Sequence, residues 1–212
     1  MLIALEGDQP FAKPRTDIEI DVEAIISRVP PDITTKGMFI NRALKLAEGL
    51  SDEDDLIRAS GVEPERFVPF KDYSWANYLR INCAIAKLLY PKRPAAGLRH
   101  IGRTLYAEFA DSVPGRVTFG LLRNNADRVI SLGAKAWNMS GTPGEVFSEF
   151  VADQHYRYHF VGTPAEITET LGVGILEGAL AECGEVPCIS FGFADLMHTV
   201  IDIRWGEAIP AS

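Results

Sequence analysis

Residues 145–162 read EVFSEFVADQHYRYHFVG, and their reading decides the fold. Tyr156, Tyr158 and Phe160 alternate with His155, Arg157 and His159. A period of two argues for strands, and the segment predicts an adjacent pair. PCISFGF (187–193) and HTVIDIRW (198–205) predict a second pair, with a helix from about Thr163 to Cys183 between the two. Upstream of the break at SGTPG (140–144) the apolar residues recur at helical spacing instead.

Asp21 caps a short helix through Ser27 that Pro30 and Pro31 stop. DITTKGMFINRALKLAEGL (32–50) reads as a helix capped by Thr34 or Thr35, with Phe39, Ala43, Leu46 and Leu50 along one side. SDEDDLIRASG (51–61) is a short helix with a capping serine and acidic residues in its first turn. A long helix starts at Asp72 or Ser74 and runs through Leu89. Another follows Pro94 with Leu98, Ile101, Leu105 and Phe109 on one face, and VTFGLLRN and ADRVISLGAKAWNM add two more.

The plan is a mixed α/β chain of the α+β kind. An N-terminal helical layer packs on a C-terminal twisted antiparallel sheet in β-β-α-β-β order. The expected organisation is one domain over 1–212, with an arm at 1–20, or a short strand there ending in Ile18-Glu19-Ile20, a helical part at 21–140 and a sheet-containing part at 145–206.

Composition narrows the function classes. The 212 residues are 47% hydrophobic and 24% charged, ample for a core without disulfides. A net charge of −8 argues against a general nucleic-acid binder. Three irregularly spaced cysteines form no disulfide framework, which points to a reducing compartment. MLIALEGDQPF lacks the features of a signal peptide, and no apolar run reaches the roughly 18 residues of a membrane span. The expectation is a soluble, cytoplasmic protein.

RFVPFKDYSWANYLR (66–80) concentrates Phe67, Phe70, Tyr73, Trp75 and Tyr78. Such rings anchor a loop–helix junction in a core, and they also wall ligand pockets. Lys71 and Asp72 read as solvated. Gly172, Gly174 and Gly178 lie inside a helix pattern, where glycine costs about 1 kcal/mol relative to alanine. They read as a close-packing surface, with a subunit interface as one use, and not as a dinucleotide fingerprint, which needs its glycines between a strand and a helix.

Cys183, Cys188 and His198 lack the paired spacing of a structural zinc site, so no metal is expected. His155 and His159 would stand about 13 Å apart on a strand, too far to share one ion. No nucleophile elbow and no phosphate loop occurs. From Lys92 to Lys135 basic residues predominate, including Arg99 and Arg103 one helical turn apart and Arg116 near a helix start. They suit an anion site, or a solvated face paired with the acidic 52–55 run.

Three segments carry a family resemblance: ITTKGMFIN, VPFKDYSWANYLR and GLRHIGRTLYAEFADSVPGR. They contain T-x-x-G-x-F (Thr34, Gly37, Phe39), F-x-D-Y (Phe70, Asp72, Tyr73) and G-R…S-x-x-G-R (Gly102 to Arg116). The chain from about Asp21 onward resembles a family of paralogous myxobacterial proteins of unknown function. GVGILEGALAECG followed by strands ending in IDIRW is more distantly similar to a superfamily. Its members are haem–nitric-oxide-binding domains, 4-vinyl-reductase sensor domains and TRAPP subunits. That resemblance implies a helical layer on a twisted antiparallel sheet, often dimeric, with an internal cavity in several members. The haem branch's Y-x-S-x-R motif is absent, and the three-cysteine zinc site is not matched, so no cofactor is expected.

The expected function is a non-enzymatic sensory or signalling module, homodimeric, holding a small apolar ligand. Phe39, Phe67, Phe70, Trp75 and Tyr78 are its expected lining, with Arg99 or Arg103 as a polar contact. The alternative is a protein-interaction scaffold of the same fold with a filled core and no ligand.

Overall fold

The computed structural model describes residues 11–120, 124–141 and 143–206. The first ten residues of the expected arm, Arg123 with the rest of 121–123, and Thr142 of the SGTPG break lie outside them.

The sheet forms as the alternation requires. Strands β3 (Glu145–Ala152), β4 (His155–Val161), β5 (Cys188–Asp195) and β6 (His198–Arg204) pair antiparallel in the order β3-β4-β6-β5. The register sets Tyr156, Tyr158 and Phe160 opposite Ile203, Ile201 and Thr199 on the face that meets the helices. His155, Arg157 and His159 share the other face with Arg204, Asp202 and Val200. There Asp202 is held by His155 Nε2 at 2.8 Å and by Arg157 Nε at 3.0 Å. Burial works against its charge, yet these hydrogen bonds outweigh it and the pKa is lowered.

The helical layer comprises α1 (Val22–Ile26), α2 (Gly37–Leu46), α3 (Glu53–Ala59), α4 (Trp75–Leu89), α5 (Pro94–Asp111), α6 (Val113–Phe119) and α7 (Ala126–Met139). Three sequence expectations change at its start. Thr34–Lys36 is strand β1, paired with β2 (Asp72–Ser74), so neither threonine caps α2, and Lys36 holds that position without a side-chain cap. α2 also ends before Leu50, which is 60% exposed and lines no core. In α3 the cap is Asp52, not Ser51, because Asp52 Oδ1 accepts from the Asp55 N–H at 3.1 Å. At the arm, Ile18-Glu19-Ile20 forms no strand; the pairing made there is a single bridge from Ala12 to Phe191 on β5.

The C-terminal helix is interrupted. α8 (Ala165–Ile167) passes through a π-helical segment, Thr168–Gly172, into α9 (Val173–Glu182). Single π turns of this kind recur at functional sites. Buried Glu169 in this segment takes three hydrogen bonds from Arg15 of the arm, from the backbone N at 2.7 Å, Nε at 3.0 Å and Nη2 at 2.9 Å.

α5 is the central helix, lying between α4 and α9. Small residues let the backbones approach. A Cβ on Gly174 or Gly178 would fall well inside 3 Å of the Arg99 or Arg103 carbonyl oxygen. The close-packing surface read from the glycines is therefore spent on α5 of the same chain. The arginines of that turn point at α9. Glu177 takes Arg99 Nη2 at 2.5 Å and Nε at 2.9 Å, and Arg103 Nε at 2.8 Å. The anion that Arg99 and Arg103 hold is thus Glu177, not the 52–55 run, whose Asp54 and Asp55 pair with Arg58.

Candidate functional site

Where the helical layer meets the sheet, the side chains leave an apolar cavity of about 80 Å³. α5 and α6 supply Leu105, Tyr106, Phe109 and Phe119, and the last three form an edge-on aromatic cluster with ring centroids 5.4 and 6.1 Å apart. Phe39 of α2 stacks on Phe109 at 6.4 Å, and Tyr78 of α4 completes that wall. The opposite wall comes from Val129, Ile130 and Trp137 of α7 with Tyr158 and Phe160 of β4. Trp137 meets Phe160 edge-on at 5.0 Å. Ile175, Leu176 and Ala179 of α9 close the end.

Local chemistry fixes the Tyr158 ring. The Tyr158 hydroxyl donates to the Ile130 carbonyl, and α7 admits it because residue 133 is glycine: a Cβ there would collide with the hydroxyl. Burial raises the pKa of Tyr158 and of Tyr78, so both remain neutral phenols. Besides the tyrosines, the polar side chains of the lining are Thr35 and Ser140. Thr35 Oγ1 donates to the Ser140 carbonyl at 3.5 Å, and the Ser140 hydroxyl donates to the Trp137 carbonyl at 2.6 Å. Such a surface binds by dispersion and exclusion of water, and offers no charge to a ligand.

The structure divides the expected site residues. Phe39 and Tyr78 lie on the cavity wall. Trp75 is 2% exposed but packs in the core outside the lining. Phe67 is buried beside Tyr73, ring centroids 5.0 Å apart, in a corner where the Tyr73 hydroxyl accepts from the Val68 N–H and donates to the Arg66 carbonyl. Phe70 is 56% exposed, because the turn at Pro69 swings it outward from that corner. Arg99 and Arg103 are outside the cavity, committed to Glu177. Reasoning from sequence missed Tyr106, Phe109, Phe119, Trp137, Tyr158 and Phe160 as a lining. Phe109 and Phe160 were legible as buried, but their convergence depends on tertiary packing.

The residues present do not fit a haem. Cofactor pockets span roughly 300–1,000 Å³, several times this cavity. Axial haem ligands are His, Cys, Met or Tyr; no histidine, cysteine or methionine lines the cavity, and of its tyrosines Tyr158 is committed to Ile130 while burial holds Tyr78 as a neutral phenol. In β4, Tyr158 is followed at its second and fourth positions by Phe160 and Gly162, not by serine and arginine. Among the described residues no group of three or more His, Cys, Asp or Glu side chains is placed to hold a metal ion.

Comparison with solved structures shows the fold. An H-NOX protein from S. oneidensis in the Fe(II)NO ligation state is 12% identical. It covers 81% of this chain and 99% of its own, with a TM-score of 0.65. A point mutant of the T. tengcongensis H-NOX is 19% identical over 82% of this chain and 99% of its own, with a TM-score of 0.59. An unliganded Fe(II) H-NOX mutant from K. algicida is 11% identical over 82% and 98%, with a TM-score of 0.61. The helical layer on an antiparallel sheet is thus the H-NOX arrangement. No curated protein matches the chain. Residues 28–206 match a family described as a protein of unknown function, DUF2378, and the chain belongs to that family.

Proposed function

We infer that the chain is a non-enzymatic sensory module whose cavity takes a small apolar molecule, on a fold shared with H-NOX proteins that are described in Fe(II) states. The supporting observation is the cavity itself, about 80 Å³ walled by aromatic and aliphatic side chains at the junction of helices and sheet. Cavities of apolar lining stay dry and accept apolar guests; one of about 150 Å³ holds benzene. A cavity near half that size selects for smaller guests, of a few heavy atoms.

The same reading makes the chain cytoplasmic, in keeping with Cys83, Cys183 and Cys188, none of which forms a disulfide. No helix among the described residues is long and apolar enough to cross a membrane. It also keeps the chain dimeric. Phe147, Phe150 and Val151, exposed on the two sides of edge strand β3, are apolar side chains available to a second copy.

Thermal melts under a size-graded apolar series (xenon, isoprene, benzene, naphthalene) test the ligand class. A guest at about 100 times its Kd adds about 2.7 kcal/mol, or about 5–10 °C in Tm for a chain of this size. The expected outcome is stabilisation by the small members, absent in Ala179→Leu, which fills the cavity. A flat response across the whole series overturns the reading.

A further inference from the structure

Beside α2, where α3 and α5 come near it, the surface carries an open groove of about 590 Å³, separate from the internal cavity. Its floor is apolar: Met38, Leu44, Ala47 and Leu56 are each at least nine-tenths buried, and Pro69 adds to the lining. Its rim is acidic. Glu48 just past the end of α2, Asp52 and Glu53 at the start of α3, and Glu108 of α5 converge on it from different elements, against Lys45 alone. Among the described residues no lysine, arginine or histidine forms an ion pair with any of these four carboxylates. By contrast, Glu23, Glu166, Glu169, Glu177 and Asp202 all hold an arginine. Two large apolar side chains flank the groove in the chain: Leu50, 60% exposed between lining residues Gly49 and Ser51, and Phe70, 56% exposed after Pro69.

We propose that this groove docks a basic amphipathic helix of a partner protein. An apolar floor calls for apolar side chains, and four carboxylates around it without an ion-pair partner, Asp52 also capping α3, call for lysine or arginine. A helix with leucines at i, i+3, i+4 and i+7 and lysines beside them presents both together. The acidic rim gives the docking its orientation and a salt-dependent on-rate, while the floor and the flanking Leu50 and Phe70 supply the buried apolar contact. Nucleic acid and anionic membrane are repelled by the same rim. The proposal goes beyond the cavity reading and stands without it. An apolar sensor would use this face to reach its downstream protein.

The probe is a fluorescein-labelled leucine–lysine peptide about 18 residues long, of a length that supports a helix. It is titrated by anisotropy and by methyl NMR of the full chain. The expected outcome is saturable binding that weakens with salt, with shifts centred on the methyls of Leu44, Leu50 and Leu56. Glu48→Lys with Glu53→Lys, both at exposed positions, lowers affinity about tenfold or more. The equally charged control, Glu182→Lys with Glu185→Lys at the far end of α9, leaves it within about twofold. Equal weakening by both pairs means general electrostatic attraction and overturns the proposal, as does absence of binding at low salt. Shifts at the same methyls induced by Ca²⁺ or Mg²⁺ alone, and unaltered by the peptide, would make the groove a cation site and also overturn it.

Discussion

Gly172 closes the π-helical segment and Gly174 lies two residues on in α9, and the structure predicts opposite signs for alanine at the two. In isolation each Gly→Ala change in a helix gains about 1 kcal/mol. At Gly172 the new Cβ would meet its nearest neighbours at 3.7 and 3.8 Å, ordinary contact, and would enter the cavity. That gain survives, and Tm rises by about 2–4 °C. At Gly174 the Cβ would fall well inside 3 Å of the Arg99 carbonyl oxygen and 3.1 Å from the Arg103 nitrogen, both backbone atoms. Restoring a carbon–oxygen separation of about 3.3 Å requires α5 and α9 to part by about 1 Å. Overpacking of this kind costs about 1–3 kcal/mol. Parting also lengthens the Arg99 and Arg103 hydrogen bonds to Glu177; the part-buried Arg99 pair is charge-assisted and worth about 1.5–3 kcal/mol when well formed, and the half-exposed Arg103 adds about 0–1 kcal/mol. The net for Gly174→Ala is a loss of about 2 kcal/mol, or about 4–8 °C in Tm. Circular dichroism melts of the two single variants beside the parent decide the matter. If Gly174→Ala melts above the parent as Gly172→Ala does, α5 and α9 do not touch there and the reasoning from their close packing fails.

The clasp at Glu177 predicts a pH signature. Burial raises its pKa, but hydrogen bonds from Arg99 and Arg103 more than offset this, and the folded value lies below the ordinary 4.5. A depressed carboxylate pKa contributes stability that is fully present above the unfolded value and is lost as pH falls through the folded one. Urea titrations should therefore show a parent advantage over Glu177→Gln that is constant from about pH 6 to 8 and shrinks as pH drops below about 4.5; an advantage unchanged in acid would contradict the clasp. Cysteine labelling separates three environments. Cys188 is exposed, Cys183 is half-buried with its pKa raised by burial, and Cys83 is buried with its thiol pushed up to about 12. Mass-resolved N-ethylmaleimide labelling near neutral pH should modify Cys188 first and Cys83 only on unfolding; early modification of Cys83 would place α4 at the surface.

The sheet was legible because β4 obeys a period of two over a half-buried surface, so Tyr156, Tyr158 and Phe160 announce their face without tertiary information. α4 and α5 were legible for the same reason at a helical period. Thr34–Lys36 was not, because its pairing with Asp72–Ser74 joins segments far apart in the chain, and a threonine pair before a helix reads equally as a cap. The aromatic stretch from Phe67 to Tyr78 shows the limit most clearly. One ring turns outward, one enters the core, two make a corner and Tyr78 alone reaches the cavity. Local spacing identifies rings that will be buried but cannot apportion them among adjacent spaces. The rest of the lining, from Phe39 to Ala179, is assembled by layer packing, which leaves no local signature. Arg99 and Arg103 were legible as a pair with a shared anion; that the anion is Glu177 followed only from the glycines that bring α9 against α5.

Binding inside the cavity is the central claim, and methyl NMR under xenon pressure tests it directly. Xenon enters apolar cavities by dispersion alone, so it requires no guess about the natural ligand. Saturable shifts are expected at Leu105, Val129, Ile130 and Leu176, which line the cavity, with none at exposed Val68 or Val117. In Ala179→Leu the shifts disappear while the fold persists, with stability raised by at most about 2 kcal/mol for the filled volume. Linear, unsaturable shifts spread over the surface, or saturable ones that survive Ala179→Leu, would contradict it.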